Sequence, residues 1–250
     1  MVRALSHRRV IIVGAGHSGL AVAAALYARG LEPQKDFVVI DAAPQGQRSW
    51  ASRWHSMALL SNARHSALPP FRFPGDQSRY PRADEMLDYL ATVETALGVK
   101  TLWGTRALGV ERLGEGFTLQ LSTSGGLVQT RNVVCATGAA AVPWIPGWAG
   151  SLTVPGIVQH SSAYQYPAQI PSGSVLIVGG GNSGVQLAEE LCGSHDVTLS
   201  SRTPRRYRPR ERYVATAGTT VSWLSGRRRP EPVFTHSAGV SGAITRAPAW

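Results

Sequence analysis

The first forty residues alternate between apolar runs and small residues in an order that predicts strand, turn, helix and strand. Val10 to Val13 form a short β-branched run, which is typical of a buried parallel strand. An Ala/Leu-rich stretch that ends at Gly30 predicts a helix, and Phe37 to Ile40 predict a second strand that ends on Asp41. Between the first strand and the helix lies Gly14-Ala15-Gly16-His17-Ser18-Gly19. Together these features predict one complete βαβ unit.

The glycine spacing of this turn is that of a dinucleotide-binding motif. Gly14 permits the tight turn, Gly16 lets a pyrophosphate approach the backbone, and Gly19 lets the helix pack closely on the strand. The diphosphate is expected at the helix N-terminus, beside Ser18, where unpaired N–H groups and the helix dipole favour negative charge. Asp41 follows Gly19 by 22 residues, a position from which a carboxylate accepts hydrogen bonds from an adenosine ribose. A nucleotide site is therefore predicted in this unit.

The same arrangement recurs in the second half of the chain. Val175 to Val178 predict a strand, Gly179-Gly180-Gly181-Asn182-Ser183-Gly184 forms the turn, and Val185 to Cys192 predict the helix. The next strand, Val197 to Leu199, ends on Ser200-Ser201-Arg202 rather than on an acid. A carboxylate there would repel a 2′-phosphate, whereas a guanidinium binds one through two hydrogen bonds. Arg202, with help from Arg205 or Arg206, therefore favours NADPH over NADH. Solvated surface arginines are the alternative interpretation of all three.

The residues between the two units give weaker patterns. Residues 42–82 predict long loops over a site, and Asp84 to Gly98 predict a helix with one apolar face. Phe117–Leu121 and Leu127–Val134 predict a hairpin around a Ser-Gly-Gly turn. An apolar strand then runs through Cys135 into a turn of small residues.

Charge is distributed unevenly along the 250 residues. The formal net charge is +10, but residues 201–250 hold ten arginines against only Glu211 and Glu231. Such a block could bind nucleic acid or an anionic surface, although a solvated or poorly ordered tail is the favoured interpretation. Cys135 and Cys192 lie far apart, which excludes a disulfide framework and a CxxC redox or zinc site, and no metal is predicted.

The N-terminal segment needs a separate interpretation. Arg8-Arg9 and the apolar run to Tyr27 are compatible with a twin-arginine signal or a spanning helix. The glycines of the nucleotide turn interrupt this run, and the turn explains it better. The protein is therefore predicted to be cytoplasmic, with no membrane partner.

Three motifs together resemble the flavin-containing monooxygenases and their bacterial relatives: VGAGHSGL, CATG and VGGGNSGVQLAEEL, in this order. Val154 to Tyr164 matches the family's FxGxxxHxxx(W/Y) pattern, with Val154 in place of the phenylalanine. Trp50, Arg53-Trp54, the FPGD sequence and Tyr80-Pro81 resemble one bacterial branch, the CzcO-like proteins. The resemblance covers about residues 8–206.

This resemblance implies two cofactors and their binding residues. It assigns FAD to Gly14, Gly16, Ser18, Gly19 and Asp41, with Trp50, Thr137 and Gly138 near the same cofactor. It assigns NADPH to Gly179, Gly181, Asn182, Ser183, Gly184 and Arg202. In such enzymes NADPH reduces the flavin, and a flavin hydroperoxide then transfers one oxygen atom to a small nucleophilic or ketone substrate.

The resemblance also suggests residues for the reaction site. His160 belongs to the monooxygenase pattern and is expected to couple the two units, or it is an ordinary loop histidine. Asn62, Trp50 and Trp54 are candidates to line the site, although core packing is the favoured interpretation for both tryptophans. Small-molecule substrate and molecular oxygen are the expected partners, a homodimer is possible, and no nucleic-acid partner is predicted.

The predicted fold class is α/β, with two Rossmann-like dinucleotide-binding units and an incomplete C-terminus. The expected domains are an FAD-binding segment at 1–150, a partial NADPH-binding domain at 151–206 and an Arg-rich tail at 207–250. No family pattern, helical period or strand period is found after Arg206, so a third strand of the second unit is not expected. We therefore expect a truncated or out-of-frame product.

The alternatives to a monooxygenase are a flavin-dependent NADPH oxidoreductase with another acceptor, and an inactive fragment or binding protein.

Overall fold

The computed structural model of the chain describes residues 5, 8–116, 118–154, 156–202 and 222–225. The chain divides into two compact units, Met1–Pro146 and Gly147–Trp250. The first unit contains β1 (Val10–Val13), α1 (His17–Tyr27), β2 (Phe37–Ile40), α2 (Ala63–Ser66), α3 (Ala83–Ala96), β3 (Ala107–Arg112), β4 (Leu119–Thr123), β5 (Gly126–Thr130) and β6 (Asn132–Cys135). The second contains β7 (Ser174–Val178), α4 (Asn182–Leu191), β8 (Asp196–Ser201) and β9 (Ser222–Ser225). Short 3₁₀ helices at Gly147–Ser151, Ser161–Ala163 and Pro167–Gln169 precede β7.

A parallel sheet of order β2-β1-β6 forms the centre of the first unit. Val10 of β1 pairs with Phe37 of β2 and with Asn132 of β6. Every residue of β1 and β2 is buried, as their continuous apolar composition predicts for strands covered on both faces. This sheet therefore carries the glycine turn on a rigid support.

Two apolar clusters cover the two faces of that sheet. On one face, Ile12 and Phe37 pack with Leu20 of α1 and with Met86 and Leu90 of α3. On the other face, a second cluster joins the remaining side chains of β1 and β2 to the antiparallel sheet of order β3-β4-β5, and it contains Ile11, Val13, Val38, Ile40, Leu121 and Val128. Burial of these side chains on both faces stabilises the unit.

The predicted helix and hairpin are present with shifted boundaries. The helix α3 buries Met86, Leu90 and Val93, as its periodicity predicts, and it also buries Tyr89. The hairpin pairs β4 with β5, but the predicted second arm, Leu127–Val134, is wrong because it joins two strands. Asn132–Cys135 is a separate strand, β6, which pairs in parallel with β1. Phe117, the predicted start of the hairpin, lies outside the described residues.

The second unit repeats the βαβ arrangement in a parallel sheet of order β7-β8-β9. The helix α4 packs on this sheet and buries Leu187, Ala188 and Leu191. Along β7 the side chains alternate: Val175 and Ile177 are half-buried, whereas Leu176 and Val178 are exposed. One face of the described sheet therefore presents apolar side chains.

The strand β9 corrects the expectation that residues 207–250 contain no strand and that the second unit lacks a third one. Ser222–Ser225 pairs in parallel with β8 in the register Leu199 to Trp223. A strand of four residues, Ser-Trp-Leu-Ser, is too short to give a period-two signal among the surrounding serines and arginines. The rest of the predicted tail, residues 207–221 and 226–250, lies outside the described residues, as do Arg205 and Arg206.

The parallel sheets and their crossover helices confirm the α/β class with two dinucleotide-binding units. In the described ranges, no helix is long and apolar enough to cross a membrane. No cluster of three metal-ligating side chains occurs in that part of the chain.

Candidate dinucleotide-binding sites

The first glycine turn joins β1 to α1 in a conformation that only glycine adopts easily at its first position. Gly14 has φ +113°, and a Cβ atom there would lie 2.3 Å from the carbonyl oxygen of Ala136. A Cβ atom on Gly19 would lie 1.8 Å from the carbonyl oxygen of Gly14. Both positions therefore require glycine for steric reasons within the protein itself.

Gly16 differs from these two glycines because it is not crowded by its neighbours. A Cβ atom there would have one neighbour within 4 Å, the Ser49 hydroxyl at 3.8 Å, an ordinary van der Waals distance. Gly16 also precedes the first residue of α1, and the first turn of that helix holds no acidic residue. The space above Gly16 is thus a cradle for an anionic group at a helix N-terminus, which fits the diphosphate of a dinucleotide.

Asp41 lies directly after β2 and connects that strand to the glycine turn. Its Oδ2 accepts a 2.7 Å hydrogen bond from the Ala15 N–H, and its Oδ1 accepts one of 2.8 Å from the Ala43 N–H. Each carboxylate oxygen has two lone pairs, so both can accept a further hydrogen bond from a ribose hydroxyl. The structure therefore brings Asp41 and the turn together, as the βαβ pattern predicts.

Three other predicted residues lie around the same turn. Ser18 is exposed in the first turn of α1, next to His17, whose Nε2 lies 3.0 Å from the Ser66 carbonyl oxygen. Thr137 and Gly138 are exposed beyond β6, and Gly138 has φ +81°. Because the carbonyl of Ala136 lies against Gly14, this segment borders the glycine turn.

The thiol of Cys135 lies at the end of β6, beside this segment. Its Sγ is 3.5 Å from the Thr137 hydroxyl oxygen. Hydrogen bonds from the Thr137 hydroxyl and then from the Thr137 backbone lower the pKa of Cys135. In the second unit, burial followed by the charges of Asp196 and Glu189 raises the pKa of Cys192. The two cysteines therefore differ in both exposure and acidity.

Arg48 is a residue of this site that no sequence pattern indicates. It is 3% exposed, and its Nε donates a 2.9 Å hydrogen bond to the carbonyl oxygen of Ala15. Its Nη2 pairs with the carboxylate of Glu94, and its guanidinium lies 5.1 Å from the ring centre of Trp103. Burial lowers the pKa of Arg48, and the nearby Asp41 carboxylate opposes that shift. The role of Arg48 could not be predicted from the sequence, because a single arginine in an irregular loop belongs to no periodic pattern.

Trp50, Trp54 and Asn62 make contacts within the first unit. Trp50 is half-buried against the core, and Trp54 is buried, so both side chains are used in packing. The side-chain oxygen of Asn62 caps α2 by accepting a 3.1 Å hydrogen bond from the His65 N–H, and it lies 2.7 Å from His65 Nδ1. These contacts give each residue a structural role, and a role toward substrate stays a prediction.

The second glycine turn reproduces the geometry of the first. Gly179 has φ +111°, and a Cβ atom on Gly184 would lie 2.0 Å from the carbonyl oxygen of Gly179. Gly181 has nothing within 4 Å of such an atom and precedes α4, where Asn182 and Ser183 are exposed. The first N–H of each turn bonds to the adjacent strand in the same way, Gly14 to the Ile40 oxygen at 2.8 Å and Gly179 to the Ser200 oxygen at 2.9 Å. The second turn is therefore also open at its middle glycine.

Arg202 follows β8 directly and is exposed. In the strand register the position equivalent to Asp41 is Ser201, so Arg202 lies one residue beyond it. His160, in the same unit, caps the 3₁₀ helix Ser161–Ala163: its Nδ1 accepts a 3.2 Å hydrogen bond from the Ser162 N–H. Tyr164 is 2% exposed, and burial together with the Glu190 carboxylate raises its pKa. Pro155, in the predicted linker pattern, lies outside the described residues.

Two glycine turns of this geometry, each between a parallel strand and a helix, define a flavoprotein-type fold with two dinucleotide-binding units. The sequence model of the family described as "Pyridine nucleotide-disulphide oxidoreductase" matches residues 11–220, and the chain belongs to this family. The match continues past Arg206, so the expectation that no family pattern follows that residue is wrong.

Individual relatives confirm the resemblance derived from the sequence motifs. An uncharacterized CzcO-like oxidoreductase of Geobacillus kaustophilus is 31% identical over 86% of this chain and 59% of its own length. The indole-3-pyruvate monooxygenase YUCCA1 of rice is 32% identical over 73% of this chain and 44% of its own length. A solved mutant form of the flavin monooxygenase from Stenotrophomonas maltophilia superimposes with a TM-score of 0.72 at 31% identity and covers 81% of this chain and 59% of that one. The chain thus spans between 44% and 59% of the length of these relatives.

Proposed function

We propose that this chain forms the nucleotide-binding part of an FAD- and NADPH-dependent monooxygenase that acts on a small nucleophilic or ketone substrate. One observation carries the proposal: two glycine turns of matching geometry are followed by opposite charges, Asp41 in the first unit and Arg202 in the second. A carboxylate and a guanidinium at the end of the second strand of a βαβ unit select different dinucleotides, so the two units are suited to two different cofactors.

The first unit is suited to FAD. Gly14, Gly16 and Gly19 would receive the diphosphate with Ser18 at the N-terminus of α1, and Asp41 would bind the ribose. Thr137 and Gly138 border this turn, and Trp50 lies in the loop that follows Asp41. We assign this binding to residues 1–150.

The second unit is suited to NADPH. Gly179, Gly181 and Gly184 would receive its diphosphate, with Asn182 and Ser183 at the N-terminus of α4. The exposed guanidinium of Arg202 lies one residue beyond the position that the acid occupies in the first unit, and it would bind the 2′-phosphate. We assign this binding to residues 151–206, with 207–250 as the Arg-rich tail.

Bound FAD would supply the redox chemistry by accepting electrons from NADPH and passing them to oxygen. The chain's own residues hold the two nucleotides and shape the site, with His160 and Asn62 as the proposed reaction-site residues. The names of the rice relative and of the Stenotrophomonas relative support oxygenation as the outcome. An electron-transfer route through a disulfide is less suited, because the two cysteines, Cys135 and Cys192, belong to different units and form no disulfide in the structure.

The test is an absorbance spectrum of the purified 250-residue chain with FAD, before and after NADPH is added without oxygen. Bound flavin that bleaches with NADPH and reoxidises in air would support the proposal. Oxygen consumption that rises on addition of an amine, sulfide or ketone would then identify a monooxygenase. If NADPH bleaches the flavin but none of these substrates increases oxygen consumption, the NADPH oxidoreductase with another acceptor is favoured. A chain that binds neither FAD nor NADPH would contradict both.

A further inference from the structure

We propose that Arg48 is a positioning residue for the dinucleotide of the first unit: its side chain fixes the peptide between Ala15 and Gly16 so that the Gly16 N–H points at the diphosphate. The proposal rests on the proposed function, since it assumes that the first unit binds FAD. It adds a residue that belongs to no glycine motif and lies seven positions beyond Asp41 in the chain.

The first step is the geometry of one peptide group. Arg48 Nε donates a 2.9 Å hydrogen bond to the carbonyl oxygen of Ala15. In a trans peptide the C=O of one residue and the N–H of the next point in opposite directions. A carbonyl that is held toward the buried guanidinium therefore directs the Gly16 N–H away from the interior. Among the described residues this N–H donates to no acceptor, so it is available to a ligand.

The second step is that the Ala15 residue is held at both ends. Its N–H donates to Asp41 Oδ2 at 2.7 Å, and its C=O accepts from Arg48. The residue between the first two glycines therefore has little freedom to rotate. A turn that is ordered before the ligand arrives loses less conformational entropy when it binds.

The third step is that Arg48 is itself held in place. Its Nη2 pairs with one oxygen of Glu94, and the other oxygen of Glu94 accepts hydrogen bonds from the backbone and hydroxyl of Thr101. Trp103 lies against the guanidinium at 5.1 Å. These contacts tie the glycine turn to α3 and to the loop after it.

The second unit gives an internal comparison at one described position. The first unit has Asp41 directly after the strand residue that pairs with the end of β1, and the second unit has Ser201 at the corresponding position. No carboxylate at that position of the second unit therefore accepts from the Gly180 N–H as Asp41 does from the Ala15 N–H. This difference agrees with the assignment of FAD, which stays bound, to the first unit and of NADPH, which exchanges, to the second.

The test compares the dissociation constants of FAD, ADP, adenosine and NADP⁺ for the wild-type chain and Arg48→Met. We expect Arg48→Met to weaken FAD and ADP about tenfold, the equivalent of one hydrogen bond to a charged group. Adenosine has no diphosphate, so its affinity should stay unchanged, as should the affinity of NADP⁺ for the second unit. Arg112→Met, at an exposed arginine of β3, is the matched control and should change none of these constants.

Arg48→Met removes the arginine partner of Glu94 and leaves a carboxylate charge that is no longer compensated, which can destabilise the fold. The double variant Arg48→Met/Glu94→Gln removes that charge as well. Glu94→Gln alone keeps the bond from Arg48 to Ala15 and should weaken FAD much less than the double variant does. If the double variant keeps the wild-type melting temperature and the wild-type FAD affinity, the inference is wrong. An equal loss for adenosine or NADP⁺ would also overturn it, because that pattern indicates general destabilisation. A wild-type chain that binds NADP⁺ but neither FAD nor ADP would overturn the proposed function of the first unit together with this inference.

Discussion

The carbonyl oxygen of Gly14 lies so close to Gly19 that a Cβ atom on Gly19 would be 1.8 Å from it. The turn that follows β1 and the helix α1 are therefore in contact through backbone atoms, with no room for a side chain. A Cβ atom on Gly184 would likewise lie 2.0 Å from the carbonyl oxygen of Gly179, so both units contain the same close contact. In each turn the third glycine serves packing, and the middle glycine leaves space for a ligand.

Because these two glycines have different roles, substitution of Gly19 should affect the stability of the protein and substitution of Gly16 should affect ligand binding. Gly19→Ala should lower the free energy of unfolding by about 3 kcal/mol, because the new methyl group must displace the helix from the strand. Gly16→Ala should fold normally, since its Cβ atom meets only a serine hydroxyl at 3.8 Å, but it should weaken FAD. Urea unfolding and flavin fluorescence titration measure the two effects. Equal loss of stability in both variants would show that the middle glycine is also needed for packing.

A second prediction concerns the choice of nicotinamide cofactor. Arg202→Ala should raise the dissociation constant of NADPH about tenfold or more, because the proposed guanidinium–phosphate contact would be lost. The dissociation constant of NADH should change little, because NADH has no 2′-phosphate. Titration of both cofactors into the wild-type and variant chains gives the ratio directly. An unchanged NADPH-to-NADH ratio would indicate that Arg202 is only a surface residue.

A third prediction concerns the two thiols. Cys135 is exposed with a lowered pKa, whereas Cys192 is half-buried with a raised pKa, so iodoacetamide should modify Cys135 first. The preference should narrow at high pH, where both thiols become thiolates. Peptide mass spectrometry after timed alkylation identifies the modified residue, and Cys135→Ser serves as the control.

The same reaction also reports on the first nucleotide site. FAD should slow the alkylation of Cys135, because this thiol lies beside Thr137 at the edge of the glycine turn. NADP⁺ should give no such protection, since it is assigned to the other unit. Protection by NADP⁺ alone would contradict the assignment of the two cofactors.

A fourth prediction concerns stability and pH at the start of α3. Glu85 pairs with Arg79 at 2.7 Å and accepts a 2.8 Å hydrogen bond from the Arg82 N–H. The Arg79 guanidinium and then the Arg82 backbone lower the pKa of Glu85. The contribution of this carboxylate to stability is therefore full above the ordinary glutamate pKa of about 4.3 and is lost as the pH falls through the lower folded value.

Glu85→Gln should accordingly lower the free energy of unfolding by about 0.5 kcal/mol at pH 7, the size typical of exposed ion pairs. The difference from the wild type should shrink as the pH falls below about 4, because protonation removes the same interaction in the wild type. Glu115→Gln, at an exposed loop residue, should show no comparable difference at either pH. A difference for Glu85→Gln that stays constant with pH would mean that the carboxylate charge is not responsible.

The two glycine turns and their flanking elements were predictable because they depend on local sequence. The strand, the turn and the helix follow one another within about twenty residues, and each glycine has its own steric reason. The same holds for Asp41, which the chain brings to the turn through pairing of adjacent parallel strands. Periodicity also gives the buried face of α3, with Met86, Leu90 and Val93.

The remaining features depend on contacts between distant residues, which a sequence pattern does not contain. Arg48 acts through Ala15, 33 positions earlier, and Glu94, 46 positions later. The strand β9 depends on pairing with β8 rather than on its own four residues. The split of the predicted second hairpin arm likewise follows from the pairing of β6 with β1, which no local preference specifies.

The pairing of β1 with β6 also determines the order in which the chain can fold during synthesis. Val10 cannot pair with Asn132 until that residue, more than a hundred positions later, has been synthesised, so the central sheet of the first unit is completed late. In the second unit, β7 and β8 are separated by one short crossover and can pair as soon as Ser201 has left the ribosome. The N-terminal strand therefore spends much of translation with one hydrogen-bonding edge unpaired, and slow synthesis would prolong that exposure.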